Sequence, residues 1–239
     1  MNSNPYRNLV SIVRHCIQRN GWSELFLIPA RMVASPLLIP LIGRRMFGYR
    51  EHRLDCFYHR YNVTWANERA VEVPIARHHL ANIPPGSVLE VGNVMSHYQP
   101  VTHEVLDKYE RAPGIINADI TEFQPARNYR LILSVSTFEH IGFDEETNVG
   151  SSEKIQAAIQ HCQGFLEPGG ELIITAATGY NPDFDALFRD NRVGAAQITF
   201  LKRRSFLKWE TCDQATALSS HYHHPFAFGN AIVVAKFSQ

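Results

Sequence analysis

From residue 84 onward, short apolar runs rich in β-branched residues alternate with polar or helical stretches. Between the fourth and fifth runs, the stretch SSEKIQAAIQHCQGFL predicts a helix with Ser151 or Ser152 as its N-cap. Such alternation is typical of βαβ units, so we predict an α/β fold with a doubly wound, mainly parallel sheet. The predicted strands are Ser87–Val91, Glu104–Leu106, Gly114–Asn117, Leu131–Val135, Glu171–Thr175, a segment near Phe206–Glu210, and Ala231–Phe237.

Length and composition place limits on function. The chain has 239 residues, enough for one α/β domain with an appendage. Basic and acidic residues number 23 each, so the zero net charge argues against a nucleic-acid substrate. The basic runs at residues 44–45 and 202–204 are interpreted as solvated surface. The four cysteines lie far apart, which favours free thiols, and no secretory signal is evident, so we expect a cytoplasmic protein.

Residues 1–83 are predicted to form a helical and apolar extension, followed by the α/β domain over residues 84–239. Apolar positions at helical spacing predict a short helix over residues 9–17, and a second helix is predicted over Asn67–Leu80. Residues 26–47 are strongly apolar but contain three prolines, which indicates a segment too interrupted to span a bilayer. Three interpretations are open for it: a cover over the core, a wall of the substrate pocket, or a surface for peripheral membrane contact.

Three segments of the domain carry motifs. SVLEVG, residues 87–92, is an apolar strand that ends in a glycine, the point at which doubly wound folds bind ligands. RLILSVSTFEHIG, residues 130–142, is a second buried strand that ends in polar groups. LEPGGELIIT, residues 166–175, is a helix end, a Pro-Gly-Gly turn and a further strand.

Together, these three segments resemble class I S-adenosylmethionine-dependent methyltransferases over roughly residues 87–237. The resemblance implies a Rossmann-like sheet of about seven strands, the last of them antiparallel, with S-adenosylmethionine as cofactor. It implies that the first strand and its glycine loop hold the methionine part of the cofactor. The end of the fourth strand would border the reaction centre.

Carried over residue by residue, the resemblance implies a set of cofactor contacts. Asp119 would lie near the adenine, and Asp107, with Glu110 as a substitute, would hold the ribose hydroxyls. The full set of implied cofactor residues is Glu90, Gly92, Asn93, Asp107, Asp119, Ser134 and Ser136. The sequence departs from the family in having one glycine in the loop, and Pro100 with the short spacing to Asp107 leaves little room for the usual first helix.

The catalytic candidates are His140 and Glu139, which follow the fourth strand in a Glu-His-Ile-Gly pattern that many members of the family share. Methyl transfer mainly needs proximity and orientation, and a histidine can accept the nucleophile's proton near neutral pH. We therefore predict His140 as base or orienting residue, with turn capping as the alternative.

Other polar groups have two interpretations each. His97 and Tyr98 either contact the cofactor or pack locally. Tyr180, Asn181 and Asp185 either face the acceptor or belong to a turn in which Pro182 begins a helix. The three histidines of residues 221–224 could indicate metal, but no carboxylate or cysteine pattern completes a site, so no metal is predicted.

Two other functions compete with methyl transfer. A nucleotide-sugar dehydrogenase or epimerase would need the dinucleotide loop G-x-G-x-x-G, which the sequence lacks. A non-catalytic binding or scaffold protein would be compatible with the reduced glycine loop. For a methyltransferase, the expected partner is a small-molecule or glycan acceptor, such as a sugar hydroxyl, and the sequence leaves the oligomeric state open.

Overall fold

A computed structural model describes Trp22, residues 24–143 and residues 151–239. The helix predicted over residues 9–17 lies outside the described residues. Five helices are described: α1 (Glu24–Ile42), α2 (Arg69–Leu80), α3 (Ser151–Gly164), α4 (Pro182–Arg189) and α5 (Gln214–Leu218). Short 3-10 turns cover Tyr61–Ala66, Pro85–Ser87, Met95–His97 and Phe138–His140.

Ten strands in the described ranges form two sheets. A small antiparallel hairpin joins β1 (Met46–Tyr49) to β2 (His52–Asp55). The main sheet contains β3 (Val88–Val91), β4 (Glu104–Leu106), β5 (Ile115–Ile116), β6 (Tyr129–Val135), β7 (Leu166–Ala177), β8 (Gln197–Ser205), β9 (Lys208–Cys212) and β10 (Ala231–Ser238). Its strand order is β5-β4-β3-β6-β7-β10-β8-β9.

The sheet confirms the predicted Rossmann-like α/β fold with a doubly wound, mainly parallel sheet. Strands β3 to β7 are parallel, and their order is that of a doubly wound sheet with β3 at the centre. The last strand, β10, is antiparallel, as predicted, and it inserts between β7 and β8. The strands β4 and β5 therefore lie on one side of β3, and the following strands β6 and β7 lie on the other. This reversal of strand order creates a crevice between the carboxyl ends of β3 and β6.

Side-chain alternation explains why both faces of this sheet are covered. On β6, Leu131 and Leu133 face one core cluster, while Ile132 faces the other. The first cluster includes Val71, Val73 and Ile75 of α2, so the helix preceding β3 packs directly on the sheet. The second cluster is closed by apolar side chains of α3 and α4, such as Ile155, Ile159 and Phe184.

Several sequence predictions need correction at the level of elements. The hairpin partner β8 was not predicted, and the Pro-Gly-Gly turn lies inside β7, where the pairing with β6 shifts between Tyr129 and Leu131. The basic run 202–204 is not simply solvated, because Arg203 is 3% exposed and donates to the carbonyls of Ala66 and Phe206.

The apolar segment at residues 26–47 also differs from its prediction. Instead of an interrupted stretch, α1 is a continuous helix of 19 residues. Its most apolar 18-residue window has mean hydropathy 1.9, so the helix is long and apolar enough to cross a membrane by length and composition. Its prolines Pro29, Pro36 and Pro40 are exposed, and packing of the opposite side holds the helix together. None of its residues lines the main cavity described below.

Candidate active site

A cavity of about 630 Å³ opens where the sheet reverses its winding, between the carboxyl ends of β3, β4, β5 and β6. This volume is within the range of small-molecule and cofactor sites. The structure brings six of the nine predicted site residues to its wall: Gly92, Asn93, Asp107, Asp119, Ser136 and His140. The three others, Glu90, Ser134 and Glu139, lie behind that wall.

The loop after β3 is held close to the loop after β6. Gly92 has φ +87°, a left-handed conformation, and its N–H donates to the carbonyl of Leu106 over 2.7 Å. A Cβ at this position would lie 2.0 Å from Oγ1 of Thr137. The single glycine of the loop is therefore required by both its backbone conformation and the close approach of Thr137.

Glu90 supports this loop from below. Its carboxylate is fully buried, where Oε1 accepts hydrogen bonds from the N–H groups of Val94 and Met95 at 2.9 and 2.8 Å. Its Oε2 lies 2.7 Å from Nε2 of His103. All these partners belong to the protein, so the structure gives Glu90 a supporting position rather than a place on the cavity wall.

Two carboxylates line the cavity at the ends of β4 and β5. Asp107 directly follows β4, where its Oδ1 accepts from the N–H groups of Tyr109 and Glu110 and its Oδ2 from that of Asn93. Glu110, the predicted substitute for Asp107, also lines the cavity. These bonds tie the loop after β3 to the loop after β4.

Asp119 is the second of these carboxylates. Its Oδ2 pairs with Nζ of Lys108 at 2.8 Å, and its Oδ1 accepts from the N–H and the hydroxyl of Thr121. Burial alone would raise the pKa of Asp119, but the bonds from Lys108 and Thr121 outweigh it and lower the pKa below its usual value. Asp119 is therefore a carboxylate at neutral pH and can accept hydrogen bonds from a ligand.

The two serines of β6 have different surroundings. Ser134 is fully buried, and its hydroxyl donates to the carbonyl of Val91 over 2.9 Å, which ties β6 to β3. Ser136 follows β6 with φ +40° and lines the cavity. Its hydroxyl donates to the carboxylate of Glu72 over 3.0 Å. The second serine therefore connects the cavity wall to α2.

The opposite wall of the cavity carries His140. Its Nδ1 lies 2.9 Å from the hydroxyl of Tyr180. The ring of Tyr180 contacts the ring of Tyr222 edge to face, with 5.1 Å between the centroids. The backbone of the 138–140 turn is fixed by Asn181, whose side-chain amide donates to the carbonyl of Glu139 over 2.9 Å. His140 thus has a defined orientation at the rim of the site.

A buried group of charges lies behind this wall. Glu72 and Glu139 are 0% and 2% exposed, and Arg69 pairs with Glu72 while also lining the cavity. Burial and the nearby charge of Glu72 raise the pKa of Glu139 to about 8. Its Oε2 has no hydrogen-bond partner among the described residues. Glu139 is therefore a neutral carboxyl group near pH 7.

Sequence reasoning missed several residues of this site. Tyr61, Arg69 and Glu72 precede the start of β3 by 16 to 27 positions, and no motif marks them as neighbours of the cavity. His97 lines the cavity and stacks on Tyr61, whereas Tyr98 packs beside the cavity against Phe57. The sequence shows only that Arg69 and Glu72 flank apolar residues of α2, which does not by itself indicate a contact with the cavity.

The stretch after β7 forms the turn and helix that were one of its two interpretations. Asn181 caps α4 by accepting from the N–H of Asp183 over 2.9 Å, and Asp185 accepts from the N–H of Gly179. Burial raises the pKa of Asp185 to about 6. Tyr180, Asn181 and Asp185 are all outside the set of residues that line the cavity, and Tyr180 is connected to it through its hydrogen bond with His140.

The histidines of residues 221–224 form a turn closed by a bridge between His221 and His224. The ring nitrogen Nδ1 of His223 accepts from the N–H of Phe228. Within the described ranges, no group of three histidine, cysteine or acidic side chains could hold a metal ion.

No protein-family model matches the sequence, and no curated protein matches it. Among solved structures, the fold is similar to the N-methyltransferase NodS from Bradyrhizobium japonicum WM9 with S-adenosylhomocysteine: 16% identity over 71% of this chain and 86% of that one, TM-score 0.42. It is also similar to the CcbJ methyltransferase from Streptomyces caelestis: 10% identity, 69% and 88% coverage, TM-score 0.42. A TehB-like methyltransferase from Corynebacterium glutamicum has 19% identity, 69% and 86% coverage, TM-score 0.38.

Proposed function

We propose that this protein is an S-adenosylmethionine-dependent methyltransferase whose acceptor is a small molecule or a sugar hydroxyl. The observation that carries the proposal is the position of Asp107 and Asp119. Both carboxylates line one cavity at the switch point of the sheet, together with the Gly92 loop and His140. Ligands of doubly wound sheets bind at this point.

The donors and acceptors of the cavity fit an adenosine with an amino-acid tail. Asp119 would accept from the exocyclic amine of the adenine, and Asp107 or Glu110 from the ribose hydroxyls. The exposed backbone at Gly92 and Asn93 would border the methionine part, because a glycine lets a ligand approach closely. When bound, the cofactor supplies an electrophilic methyl group on a sulfonium.

His140 is assigned the role of base. Its ring lines the cavity, and its hydrogen bond with Tyr180 fixes the direction of the imidazole. The imidazole would accept the proton of the acceptor hydroxyl as its oxygen bonds to the methyl group, while the methyl–sulfur bond would break and leave S-adenosylhomocysteine. Glu139 does not reach the cavity wall, so we assign it as a positioning residue that acts through the 138–140 turn.

The test is calorimetric titration of the purified chain with S-adenosylhomocysteine and, separately, with NAD. We expect binding of the first ligand alone. Asp119→Ala should weaken it at least tenfold, because a ligand amine would lose a charged acceptor worth about 1.5–3 kcal/mol. The matched control is Glu122→Ala, which removes an exposed carboxylate three positions further along the same loop and should bind as the wild type does.

Each result has a separate meaning. Binding of neither ligand would overturn the proposal in favour of a scaffold protein, and binding of NAD would favour the dehydrogenase or epimerase. Equal weakening in Asp119→Ala and Glu122→Ala would show that the adenine contact is assigned to the wrong residue.

A further inference from the structure

Helix α1 is apolar on all sides, yet only one side of it packs on the protein. The packed side includes Ile28, Ile39 and Ile42, which lie against the cluster of Val63, Trp65 and Ala66. Ser35, in the middle of that side, is buried, donating to the carbonyl of Arg31 and accepting from Nε1 of Trp65. At the start of the helix, Arg31 pairs with Glu24 over 2.6 Å.

The opposite side forms an outer face of large apolar side chains. Phe26, Val33, Leu37 and Leu41 follow a spacing of seven, four and four residues, which places them on one side of a helix. They are 75%, 81%, 75% and 82% exposed. The largest apolar patch on a monomeric soluble protein often marks an interaction site.

The N-terminal part of the chain, which contains α1, is basic, and the rest of the chain is acidic. Residues 1–60 contain nine basic and three acidic residues, a net charge of +6, whereas residues 61–239 contain 14 basic and 20 acidic residues, a net charge of −6. The zero net charge of the whole chain hides this separation. Directly after α1, the exposed Arg45, Arg53 and Arg60 make no ion pair with any residue in the described ranges.

An apolar strip followed by unpaired arginines matches the chemistry of an anionic bilayer surface. A second copy of the chain fits less well. A helix of 19 residues presents a strip of about 28 Å by 10 Å, or about 300 Å². A stable dimer buries about 800 Å² per partner, and two like-charged segments would repel each other.

We propose that α1 lies flat on an anionic membrane, with Phe26, Val33, Leu37 and Leu41 inserted among the lipids and the following arginines contacting the headgroups. The helix lies on the bilayer rather than spanning it, because its inner side is packed on residues 63–66. The proposal does not depend on the reaction proposed above.

The experiment is co-sedimentation of the full chain with vesicles of phosphatidylcholine alone and of equal parts phosphatidylcholine and phosphatidylserine. We expect sedimentation with the anionic vesicles and much less with the neutral ones. The triple variant Val33→Ser/Leu37→Ser/Leu41→Ser should lower the vesicle affinity at least tenfold. Because these side chains are exposed, the variant should keep the melting temperature and S-adenosylhomocysteine affinity of the wild type.

A pair of charge variants tests the arginines. Arg45→Glu/Arg53→Glu should lower the affinity for anionic vesicles by about fivefold or more for each arginine removed. The matched control Arg111→Glu/Arg130→Glu makes the same charge change at exposed positions elsewhere on the protein and should sediment as the wild type does.

Three results would overturn the proposal: absence of sedimentation with anionic vesicles, sedimentation unchanged in the triple variant, or a stable dimer in solution that the triple variant dissociates. S-adenosylhomocysteine titration of the same samples keeps this question separate from the catalytic one. A chain that binds the ligand but not vesicles would refute only the membrane role.

Discussion

A side chain at position 92 would collide with Thr137. Gly92→Ala adds a Cβ 2.0 Å from Oγ1 of Thr137 at φ +87°, so we expect a loss of about 2–4 kcal/mol in the free energy of unfolding and weakened binding of S-adenosylhomocysteine. The control is Gly86→Ala, where nothing lies within 4 Å. Chemical denaturation of both variants measures the difference, and equal stability would contradict the close approach.

The buried carboxyl group of Glu139 should make stability depend on pH. Its pKa of about 8 lies above the ordinary value of 4.5, so between these values the folded state holds a proton that the unfolded state has lost. Stability should therefore fall as the pH rises from about 5 to 8, by up to about 1.4 kcal/mol per pH unit.

Glu139→Gln removes this titration and should flatten that part of the profile, measured by denaturant unfolding at each pH. The exposed Glu122→Gln should keep the wild-type slope. A Gln variant with an unchanged slope would show that another group titrates.

Among individual site residues, those that directly follow strands could be predicted from the sequence. Gly92, Asp107 and His140 could be placed because the ends of parallel strands meet at one edge of a sheet. Arg69 and Glu72 could not, since the packing of α2 on the sheet is a tertiary contact without a local pattern.

At the scale of elements, the start of α4 fixes the turn that carries His140. Asn181 accepts from the N–H of Asp183 and also donates to the carbonyl of Glu139. Asn181→Ala should cost about 2–3 kcal/mol of unfolding free energy, because a cap is lost and a buried carbonyl loses its partner.

Asp213 provides the control, since it caps the exposed start of α5 by accepting from the N–H and the hydroxyl of Thr216, both within the helix that it caps. Asp213→Ala should cost about 1 kcal/mol. Thermal and denaturant unfolding compare the two variants, and equal costs would mean that the bond from Asn181 to the turn adds nothing to stability.

The elements that sequence reasoning placed well are those with regular apolar periods, such as β6 and α3. It missed β8 because the run Lys202–Arg204 resembles a solvated surface, whereas Arg203 is buried by hydrogen bonds to backbone carbonyls. Three prolines likewise led to the prediction of an interrupted segment. The helix α1 is nevertheless continuous, because its inner side packs on the protein. Both errors come from tertiary contacts that outweigh local preferences.

At the scale of the whole molecule, the predicted boundary between residues 83 and 84 crosses one of the two cores. Phe47, Tyr49 and Val71 lie before that boundary and are fully or almost fully buried in the cluster that covers Leu131 and Ile232 of the sheet. Removing the first 83 residues would expose this face of the sheet. The two-part division stays a prediction that unfolding experiments can decide.

We expect the whole chain to unfold in one transition, because a shared core couples the parts on either side of residue 83. Trp65 reports on the N-terminal segment and Trp209 on the sheet. The third tryptophan, Trp22, is exposed, so the variants Trp22→Phe/Trp65→Phe and Trp22→Phe/Trp209→Phe separate the two signals. Both signals should coincide with the loss of far-ultraviolet circular dichroism.

Saturation with S-adenosylhomocysteine at 100 times its Kd should stabilise both parts of the chain by about 2.7 kcal/mol, because the cavity uses Tyr61 and Arg69 from one part and Asp119 from the other. Two separate transitions, of which the ligand shifted only the later one, would instead make residues 1–83 an independent appendage.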